Sequence, residues 1–515
     1  MNKPGFQSRR MVIVAGLFLF LAGCSIGATR FTLPDPDPIT PNDTLFAEQW
    51  NLRTIRMPEA WGLLHDPLVE RIVNNRQGIA PVVVAVLDTQ IDVDHPDLSA
   101  NVLGEVYRAP SLGAPIAGSF PDRHHGTHVA GIIAAETGNG TGIAGIGFDR
   151  IRVLPVTVLK ENGVGSAVTV LEGMLYAAGM NEDLPPHTAN VINMSLGGPG
   201  ALGDDFESAL VDMLDAGIVV VAAAGNENPP VSGAGVPVDY PARYPSVIAV
   251  GSANGSDLSS FTFAPYTAFG PEIDLVAPGG SGVSGDTYGR ILSTQIVTGD
   301  TFFLELPGTS QAAPHVAGVA ALMRAVNQEL TPQEIAHILR ETASPAPVAT
   351  DPDRYGAGML NAHAALAAAL SAPYGPFARN DFSVSPLALE PEDPDHLGLR
   401  MSARGGEPEA GRSAQRFASE GPTGTELPRI IITLDRAWFR STDHADVEAA
   451  LHDIALRHGL GPMRFLGNRF PSFAISDQQT GSAELLLDLV GEAVVHDAIY
   501  DTPVSLTGIG GTTGR

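Results

Sequence analysis

Short apolar runs alternate with helical patterns between residues 43 and 370, and few folds accommodate such an alternation. The runs are rich in Val, Ile and Ala, and they cover residues 81–87, 151–159, 190–194, 218–224 and 247–250. Continuous apolar strands separated by helices are typical of a parallel sheet that is covered on both faces. The sequence therefore predicts an α/β domain over residues 43–370, with a parallel sheet and helices on both of its faces.

The charge balance and the single cysteine exclude several classes of protein. The chain has 515 residues, with 30 Lys and Arg against 57 Asp and Glu, and a formal net charge of −27. We expect no nucleic-acid partner, because phosphates must be neutralised by cationic side chains. One cysteine cannot form an intramolecular disulfide. The apolar fraction of 44% is too high for a disordered chain.

The N-terminal segment has the pattern of a signal peptide. Lys3, Arg9 and Arg10 precede a 12-residue apolar run over residues 11–22. A membrane-spanning helix needs about 20 apolar residues, so this run fits the core of a signal peptide better. We expect residues 1–23 to be removed from the mature protein.

The run ends in Leu21-Ala22-Gly23-Cys24, which resembles the lipobox of bacterial lipoproteins. The resemblance implies cleavage before Cys24 and acyl chains on that residue, and more than one chain gives stable membrane anchoring. Ser25 is not the aspartate that retains such lipoproteins at the inner membrane. The implied location is the outer membrane, on its periplasmic face or at the cell surface. The alternative is an ordinary signal peptide with an incidental cysteine.

Composition divides the remaining chain into segments. Residues 24–42 are proline-rich and are expected to form a tether. Residues 371–428 contain 8 Pro and 7 Gly without a sustained period, which is typical of a linker. Regular patterns resume over residues 429–504, and a tail covers residues 505–515.

A carboxylate follows the first apolar run. Asp88 comes directly after residues 81–87, and ligands of an open parallel sheet gather at the carboxyl ends of its strands. Asp88 is therefore a candidate site residue. Taken alone, an aspartate after a strand is more often a turn or helix-capping residue.

Two histidines open a predicted helix in the segment His125-Gly126-Thr127-His128. Histidine is the usual general base near neutral pH. Two histidines at this spacing also allow a zinc site, but the sequence offers no further cluster of candidate zinc ligands to complete it. We interpret His125 as the candidate base and His128 as structural.

A second helix is predicted to begin near Gly308, with Ser310 in its first turn. The free N–H groups and the macrodipole of a helix N-terminus favour negative charge that develops there. Taken alone, a serine at this place is normally an N-cap.

The three segments together are far more specific than each one alone. Asp88, His125 and Ser310 occur in this order within the motifs DTxID, HGTHVAG and GTSxAAPHVAG. The set resembles the subtilisin-like serine peptidases, the subtilases, over about residues 43–370. The resemblance implies that Ser310 is the nucleophile, His125 the general base and acid, and Asp88 the carboxylate that orients His125. The chemistry agrees, because a serine hydroxyl is a weak nucleophile unless a base accepts its proton.

The resemblance also assigns residues around the substrate. Asn226, in AAAGNE, matches the family's oxyanion asparagine, whose amide would act with the backbone N–H of Ser310. Residues 193–198 resemble the strand that pairs with an extended substrate. The assigned substrate-binding residues are Ser195, Leu196, Gly197, Ala223 and Gly225. Residues 222–224 are all alanine, so we expect an open first pocket that takes a bulky apolar or aromatic side chain.

Two positions depart from the family pattern. Gln90 stands where the family usually has glycine, which would strain the turn after Asp88 if that position needs a positive φ. Gln311 stands where the family often has methionine, which removes an oxidisable sulfur beside the nucleophile. Neither change affects an atom of the catalytic triad that the resemblance assigns, Asp88, His125 and Ser310, so activity is still expected.

Calcium is a candidate structural cofactor. Gln49, Asp97 and the loop over residues 137–143 match positions that bind structural calcium in many relatives, and oxygen ligands suit Ca²⁺. The assigned ligands are Gln49, Asp97, Asn139, Thr141 and Ile143.

The C-terminal unit has a βαββαβ pattern. Strand-like segments at 429–434, 465–467, 472–476 and 494–500 alternate with helical patterns at 444–459 and 482–492. This order predicts a small α+β ferredoxin-like fold, which resembles the subtilase prodomain. Residues 45–61 already resemble the start of the catalytic domain, so we expect no folded prodomain before them. The hypothesis is that the unit chaperones or inhibits the peptidase in cis and that its tail lies in the cleft like a product.

The favoured function is a lipid-anchored serine endopeptidase that acts on protein or peptide substrates outside the cytoplasm. Two alternatives stay open. The chain could be a surface interaction protein built on a subtilase scaffold, or an exopeptidase with the same fold.

Overall fold

The computed structural model describes most of the predicted α/β domain and five strands after it. The described residues are 33, 36–77, 81–104, 106–116, 121–180, 188–226, 237–283, 285–299, 301–347, 351–372, 429–434, 463–465, 472–476, 495–500 and 503–506. The predicted signal peptide with Cys24, most of the tether and residues 373–428 of the predicted linker lie outside these residues. Within the described ranges, no helix combines the length and the apolar character that a membrane span requires.

The central sheet of the domain is parallel, as the apolar runs predict. The strands of the domain are β1 Val82–Asp88, β2 Tyr107–Arg108, β3 Ile151–Thr157, β4 Val164–Ser166, β5 Val191–Met194, β6 Leu196–Gly197, β7 Val219–Ala223, β8 Ile248–Asp257, β9 Ser260–Phe263, β10 Leu275–Pro278, β11 Ile291–Thr298 and β12 Thr301–Leu306. The strand order of the central sheet is β10-β8-β7-β5-β1-β3-β2, and β9 pairs antiparallel with β8 at the side. A separate hairpin consists of β11 and β12.

Helices cover both faces of the sheet, which confirms the predicted α/β architecture. They are α1 Trp50–Thr54, α2 Met57–Leu64, α3 Pro67–Gln77, α4 His125–Ala134, α5 Ala167–Ala177, α6 Asp204–Asp215, α7 Thr309–Val326, α8 Pro332–Thr342, α9 Pro352–Tyr355 and α10 Ala362–Ser371. Helix α5 begins with a capping box, in which Ser166 and Thr169 satisfy each other's backbone N–H groups. Thr331 and Glu334 form the same motif at the start of α8.

The alternation of side chains along β1 divides the core into two halves. Val82, Val84 and Val86 belong to the cluster that packs against α4 and α7. Ala85 and Leu87 belong to the cluster on the other face, which includes α5 and α6. Successive side chains of a strand point to opposite faces, so an apolar residue at every position buries both faces. Asp88 ends this strand, with its side chain fully buried at the carboxyl edge of the sheet.

Four of the five C-terminal strands form an antiparallel sheet of their own, and the fifth pairs with β4 and β6 of the α/β domain. The strands are β13 Arg429–Leu434, β14 Met463–Phe465, β15 Ser472–Ser476, β16 Val495–Tyr500 and β17 Pro503–Leu506. The first four pair in the order β14-β15-β13-β16. The predicted helices at 444–459 and 482–492 lie outside the described residues, so the ferredoxin-like fold stays a prediction.

Candidate active site

The predicted acid and base are in direct contact. The Nδ1 atom of His125 lies 2.9 Å from both carboxylate oxygens of Asp88. The backbone N–H of Thr89 donates to the same carboxylate at 2.7 Å. Both side chains are almost completely buried. A buried carboxylate that accepts the Nδ1–H holds an imidazole in the tautomer that leaves Nε2 able to accept a proton.

The start of α4 lies close to the loop after β1. The backbone N–H of Gly126 donates to Thr89 Oγ1 at 3.0 Å. A Cβ atom at Gly126 would lie only 2.4 Å from the backbone oxygen of Thr89, so only glycine permits this approach. The glycine after the histidine therefore allows His125 to reach the acid at the end of β1.

His128 has the structural role that the sequence predicts. Its Nε2 lies 3.0 Å from the carbonyl oxygen of Ile291 and 3.1 Å from that of Leu304, across the β11–β12 hairpin. Burial lowers the pKa of His128 to about 3, so the ring is neutral and Nε2 donates its hydrogen. Among the described residues, no group of three or more His, Cys, Asp or Glu side chains is placed to hold a metal ion.

Ser310 is the second residue of α7, and Gly308 rather than Ser310 occupies the N-cap. The Ser310 hydroxyl donates to the backbone oxygen of Ser195 at 3.0 Å. Ser195 follows β5, whose last residue Met194 pairs with Leu87, the neighbour of Asp88. The candidate nucleophile therefore lies at the same sheet edge as the acid and base.

The hydrogen bond from Ser310 to His125 is not formed in this structure. The Ser310 hydroxyl points to the Ser195 carbonyl instead, and His125 Nε2 has no hydrogen-bond partner within the described part of the chain. Triad hydrogen bonds are often long or misaligned without substrate. A rotation about the Cα–Cβ bond of Ser310 would redirect its hydroxyl.

A proline inside α7 explains how this helix connects to the substrate strand. Pro314 lies four residues after Ser310 and has no N–H to donate to the Ser310 carbonyl. The hydroxyl of Ser195 donates to that carbonyl instead, at 2.7 Å. Ser195 and Ser310 thus exchange two hydrogen bonds, which fix the start of α7 against the end of β5.

The candidate oxyanion residue is oriented by Thr309. The backbone N–H of Thr309 donates to Asn226 Oδ1 at 2.8 Å, and its hydroxyl donates to the same atom at 2.9 Å. The backbone N–H of Gly225 donates to the Thr309 hydroxyl at 3.2 Å. With the amide oxygen of Asn226 held in this way, its NH₂ group points away from Thr309.

The predicted substrate-binding residues line the same edge of the sheet. Leu196 and Gly197 form β6, directly after Ser195, and both are buried. Ala223 ends β7, and Gly225 follows with a φ of 110°, which favours glycine. A Cβ atom at Gly225 would lie 2.6 Å from Asp239. The structure therefore brings the assigned strand and pocket residues together at one edge of the sheet.

The two departures from the family pattern cause no backbone strain. Gln90 is exposed and is not among the described non-glycine residues with positive φ, so the turn after Asp88 does not require glycine here. Gln311 is buried in α7, and its backbone carbonyl contacts Nδ1 of His315 at 2.8 Å.

Two of the assigned calcium ligands, Asp97 and Gln49, accept hydrogen bonds from N–H groups in this structure. Asp97 accepts hydrogen bonds from the Asn139 side chain and from the backbone N–H of Ile143, both at 2.8 Å. Gln49 Oε1 accepts from the backbone N–H of Ala144 at 2.7 Å. Burial raises the pKa of Asp97 to about 7. An oxygen atom of this kind has two lone pairs, and each hydrogen bond from an N–H group engages one of them.

We expect a chelator such as EDTA to leave the thermal midpoint of the protein unchanged, because these hydrogen bonds already close the loop. Differential scanning fluorimetry with and without added Ca²⁺ measures this. A rise of the midpoint by several degrees with Ca²⁺, which Asp97→Asn abolishes, would contradict the expectation and support the calcium site that the sequence predicts.

Sequence reasoning missed two contributors to the site. Thr309 orients Asn226, and Pro314 leaves the Ser310 carbonyl without a helical N–H partner. Thr309 and Pro314 both lie inside the motif around Ser310, so a check of each helical N–H and C=O group for its partner would have identified Pro314.

Comparison with known proteins supports the same assignment. The model of the subtilase family matches residues 80–358. The chain is 35% identical over 362 residues to an extracellular protease of Xanthomonas campestris, an alignment that covers 65% of this chain and 58% of that protein. It is 35% identical over 286 residues to thermitase of Thermoactinomyces vulgaris, covering 55% of this chain and 85% of thermitase.

A solved structure of a protease from Pseudoalteromonas arctica has a similar fold. The two chains superpose with a TM-score of 0.53 at 34% sequence identity, covering 64% of this chain and the whole of the other. The chain is 38% identical over 288 residues to the subtilisin of Bacillus subtilis subsp. amylosacchariticus. It spans 58% of the length of the Xanthomonas protease and 65% of the length of that subtilisin.

Proposed function

The chain belongs to the subtilase family, and from that premise we propose that it is a serine endopeptidase that hydrolyses peptide bonds. The observation that carries the proposal is the buried contact of Asp88 with His125, at the sheet edge where Ser310 begins α7. In this proposal Ser310 is the nucleophile, His125 the general base and acid, and Asp88 the orienting carboxylate.

The geometry supports a mechanism in which the serine hydroxyl changes partner. When a peptide enters, the Ser310 hydroxyl turns from the Ser195 carbonyl to Nε2 of His125 and transfers its proton as the oxygen attacks the substrate carbonyl. Asp88 stabilises the resulting imidazolium. The Asn226 amide and the backbone N–H of Ser310 hold the oxyanion, and the N-terminus of α7 adds its positive end. His125 then gives its proton to the leaving amine, and water hydrolyses the acyl-enzyme.

The substrate binds as an extended strand along β6 in this proposal. Main-chain hydrogen bonds to Leu196 and Gly197 give affinity, and side chains enter alternate pockets. Ala223 and its alanine neighbours leave the first pocket open to a bulky apolar or aromatic side chain. A peptide library with strict preference for a basic residue before the scissile bond would defeat this assignment.

A fluorophosphonate probe tests the proposed activity directly. The wild-type protein should be labelled, and Ser310→Ala should not. Absence of label on a folded wild-type protein would favour the alternative of an interaction protein on a subtilase scaffold. Peptides with blocked termini separate the other alternative, because an endopeptidase cleaves them and an exopeptidase does not.

Replacement of Asn226 by alanine should lower kcat by about 10²–10³-fold with little change in KM, because the amide contacts charge that develops only in the transition state. That magnitude comes from subtilisin, a relative of this chain. Thr309→Val, which keeps the backbone N–H bond to Asn226 and removes the hydroxyl bond, should cost less. Steady-state kinetics on a blocked peptide measures both variants. An equal loss in kcat for both would contradict a donor role for Asn226.

Lipid anchoring through Cys24 is the proposed basis of location. The relatives named extracellular proteases are consistent with export, and the lipobox-like segment supports acylation in particular. The net charge of −27 repels anionic membranes, so the acyl chains would hold the protein at the outer membrane.

Intact-mass measurement should show an acylated N-terminus at Cys24, and Cys24→Ala should release the protein from the membrane fraction.

The C-terminal unit is proposed to chaperone or inhibit the peptidase in cis. The strand order β14-β15-β13-β16 is that of a ferredoxin-like sheet, and β17 pairs with strands of the peptidase domain. Expression of residues 24–428 tests the chaperone role: soluble, active enzyme at wild-type yield counts against it. Failure of purified 429–515 to slow that enzyme counts against inhibition.

A further inference from the structure

Two buried hydroxyl groups lie behind the turn that follows β10. The hydroxyls of Ser252 and Tyr266 are 2.7 Å apart, and both residues are almost completely buried. The Tyr266 hydroxyl also lies 2.7 Å from the carbonyl oxygen of Gly280 and 3.0 Å from that of Gly279. Burial raises the pKa of Tyr266, so the phenol keeps its hydrogen and donates it to this turn. Because a phenol has one hydrogen, Ser252 is then the donor in its contact with Tyr266.

The turn in front of these hydroxyls holds the start of α7. The carbonyl oxygen of Gly279 accepts the backbone N–H of Gly308 at 2.9 Å. Gly308 is the N-cap of α7, and its own carbonyl oxygen accepts the first backbone hydrogen bonds of that helix. A carbonyl oxygen has two lone pairs, so that of Gly279 can serve both Gly308 and Tyr266. Tyr266 is therefore connected through one backbone oxygen to the residue two positions before Ser310.

Close packing leaves the turn no room to move independently of α7. A Cβ atom at Gly279 would overlap both the carbonyl oxygen of Gly308 and the hydroxyl of Ser252. Gly280 has a φ of 84°, and a Cβ atom there would overlap the carbonyl oxygen of Gly289. These approaches require glycine at both positions, and a close-packed interior transmits displacements instead of absorbing them. A shift of the turn is therefore passed on to Gly308.

The hydroxyl pair itself is fixed to the central sheet. Ser252 lies in β8 and pairs with Ala277 of β10. Its carbonyl oxygen accepts the backbone N–H of Ala264 at 3.0 Å and the hydroxyl of Thr267 at 3.4 Å, from positions before and after Tyr266. The segment that carries Tyr266 is thus bonded to a sheet strand on both sides of this residue, so its hydroxyl is a fixed reference point for the turn.

On the basis of the proposed peptidase activity, we propose that Tyr266 is a positioning residue of the reaction, which fixes the start of α7 through Gly279 and Gly308. Its hydroxyl contacts neither the substrate nor a reacting atom in this proposal. It acts through the backbone, because the turn holds Gly308 and Gly308 sets the position of the nucleophile Ser310 two residues later.

The groups that depend on the start of α7 act in the transition state. Ser310 supplies the attacking oxygen and one oxyanion N–H, and Thr309 holds the amide of Asn226, the other donor. Substrate binding along β6 does not depend on the turn in this proposal. Displacement of the groups at α7 should therefore lower kcat and leave KM nearly unchanged. Because a misplacement of about 1 Å costs about 10²-fold, a shift of a few tenths of an ångström is enough for a loss of about tenfold.

Tyr266→Phe tests the inference, because it keeps the ring and removes only the hydroxyl. On a blocked peptide its kcat should fall about tenfold, with little change in KM. Tyr244→Phe is the matched control, because Tyr244 is also buried and its hydroxyl accepts the backbone N–H of Leu202 at 2.9 Å, a bond that involves neither the turn nor α7. Both variants lose a buried hydrogen bond and should have similarly lowered thermal midpoints, whereas Tyr244→Phe should keep the kcat of the wild type. Equal losses of kcat in the two variants would overturn the positioning role.

Active-site titration with a fluorophosphonate separates positioning from stability. Tyr266→Phe should be labelled to the same final fraction as the wild type, with a rate constant about tenfold lower. A lower labelled fraction with an unchanged rate constant would show a loss of folded protein only and would refute the inference. If Tyr266→Phe does not fold, Ser252→Ala decides by the same two readouts, because it removes the donor to Tyr266 and leaves the tyrosine in place. It should be fully labelled at a reduced rate, and an unchanged rate would count against the proposal.

The double variant of Tyr266→Phe and Ser252→Ala tests whether the two hydroxyls act as one unit. Both act through the same turn, so the kcat of the double variant should be no lower than that of Tyr266→Phe alone. A loss equal to the product of the two single losses would mean that the hydroxyls act independently, and it would overturn the route through the turn.

The wild-type protein in the same assays separates this inference from the proposed function. A wild type that is labelled and cleaves the blocked peptide, with Tyr266→Phe indistinguishable from it, overturns the inference and leaves the peptidase intact. A folded wild type that is neither labelled nor active overturns the proposed function and the inference with it.

Discussion

Ser310→Ala is expected to lower kcat on a blocked peptide by about 10⁶-fold, the loss known for subtilisin, a relative of this chain, when its serine is removed. The variant has no alcohol to form the acyl-enzyme, while Asn226 and the substrate strand remain in place. The variant should therefore still hydrolyse the peptide about 10³–10⁴-fold faster than the uncatalysed reaction in water. Kinetics with protein at high concentration, after removal of any contaminating peptidase, measures this floor.

The stability of the same variant shows whether the loss is chemical. Ser310→Ala removes one hydrogen bond to a backbone carbonyl, that of Ser195, which contributes about 1 kcal/mol. Ser371→Ala in α10 is a matched control, because its hydroxyl also donates to a backbone carbonyl, that of Ala367, at 2.9 Å. Both variants should unfold within a few degrees of the wild type. Activity within tenfold of the wild type in Ser310→Ala would refute the nucleophile assignment.

The sequence predicted the parallel sheet well because burial on both faces leaves a strong signal. An apolar residue at each position of β1 up to Leu87 admits few environments other than the centre of a covered sheet. Strand β8 extends to Asp257, well beyond the apolar run at 247–250, because its later residues pair with β9 and are partly exposed. Polar residues in an edge pairing carry no comparable signal.

The positions of the candidate acid, base and nucleophile were predictable from motifs, but their hydrogen-bond partners were not. The contact of Asp88 with His125 depends on the close approach that Gly126 allows. The hydroxyl of Ser310 bonds to Ser195 because of the local geometry of α7 and β5, and a sequence motif does not specify a side-chain rotamer. The calcium ligands show the same limit, since matching oxygen atoms are present but accept hydrogen bonds from N–H groups.

The pairing of β17 with β4 and β6 has a different origin. Such a contact between distant segments depends on the whole fold and not on the composition of either strand. The hypothesis that the tail lies in the cleft rests on the resemblance of the C-terminal unit to a prodomain and on the expectation that no folded prodomain precedes residue 45. The predicted boundary at residue 504 falls inside β17, which begins at Pro503. The βαββαβ pattern that defines the unit ends with the strand-like segment at 494–500, so it gave no signal for β17.

Asp88→Asn is expected to lower kcat by about 10⁴-fold at neutral pH while the fold and KM change little. The Asp88 carboxylate is fully buried and accepts hydrogen bonds from both His125 and the backbone N–H of Thr89. In the variant the single amide oxygen bonds to the Thr89 N–H, and the NH₂ group faces Nδ1 of His125. The imidazole then accepts at Nδ1 and carries its hydrogen on Nε2, so it cannot take the proton of Ser310.

Asp92→Asn is a matched control from the same loop. Its carboxylate accepts from the backbone N–H of Val297 at 3.0 Å and from that of Asp94 at 3.3 Å, and neither bond involves Asp88, His125 or Ser310. Its kcat should stay within a few-fold of the wild type. Nitrogen-15 NMR of the His125 ring should show the hydrogen on Nδ1 in wild type and on Nε2 in Asp88→Asn. If Asp88→Asn keeps kcat within tenfold of the control while its thermal midpoint is unchanged, the buried contact of Asp88 with His125 is structural and does not set the tautomer for catalysis.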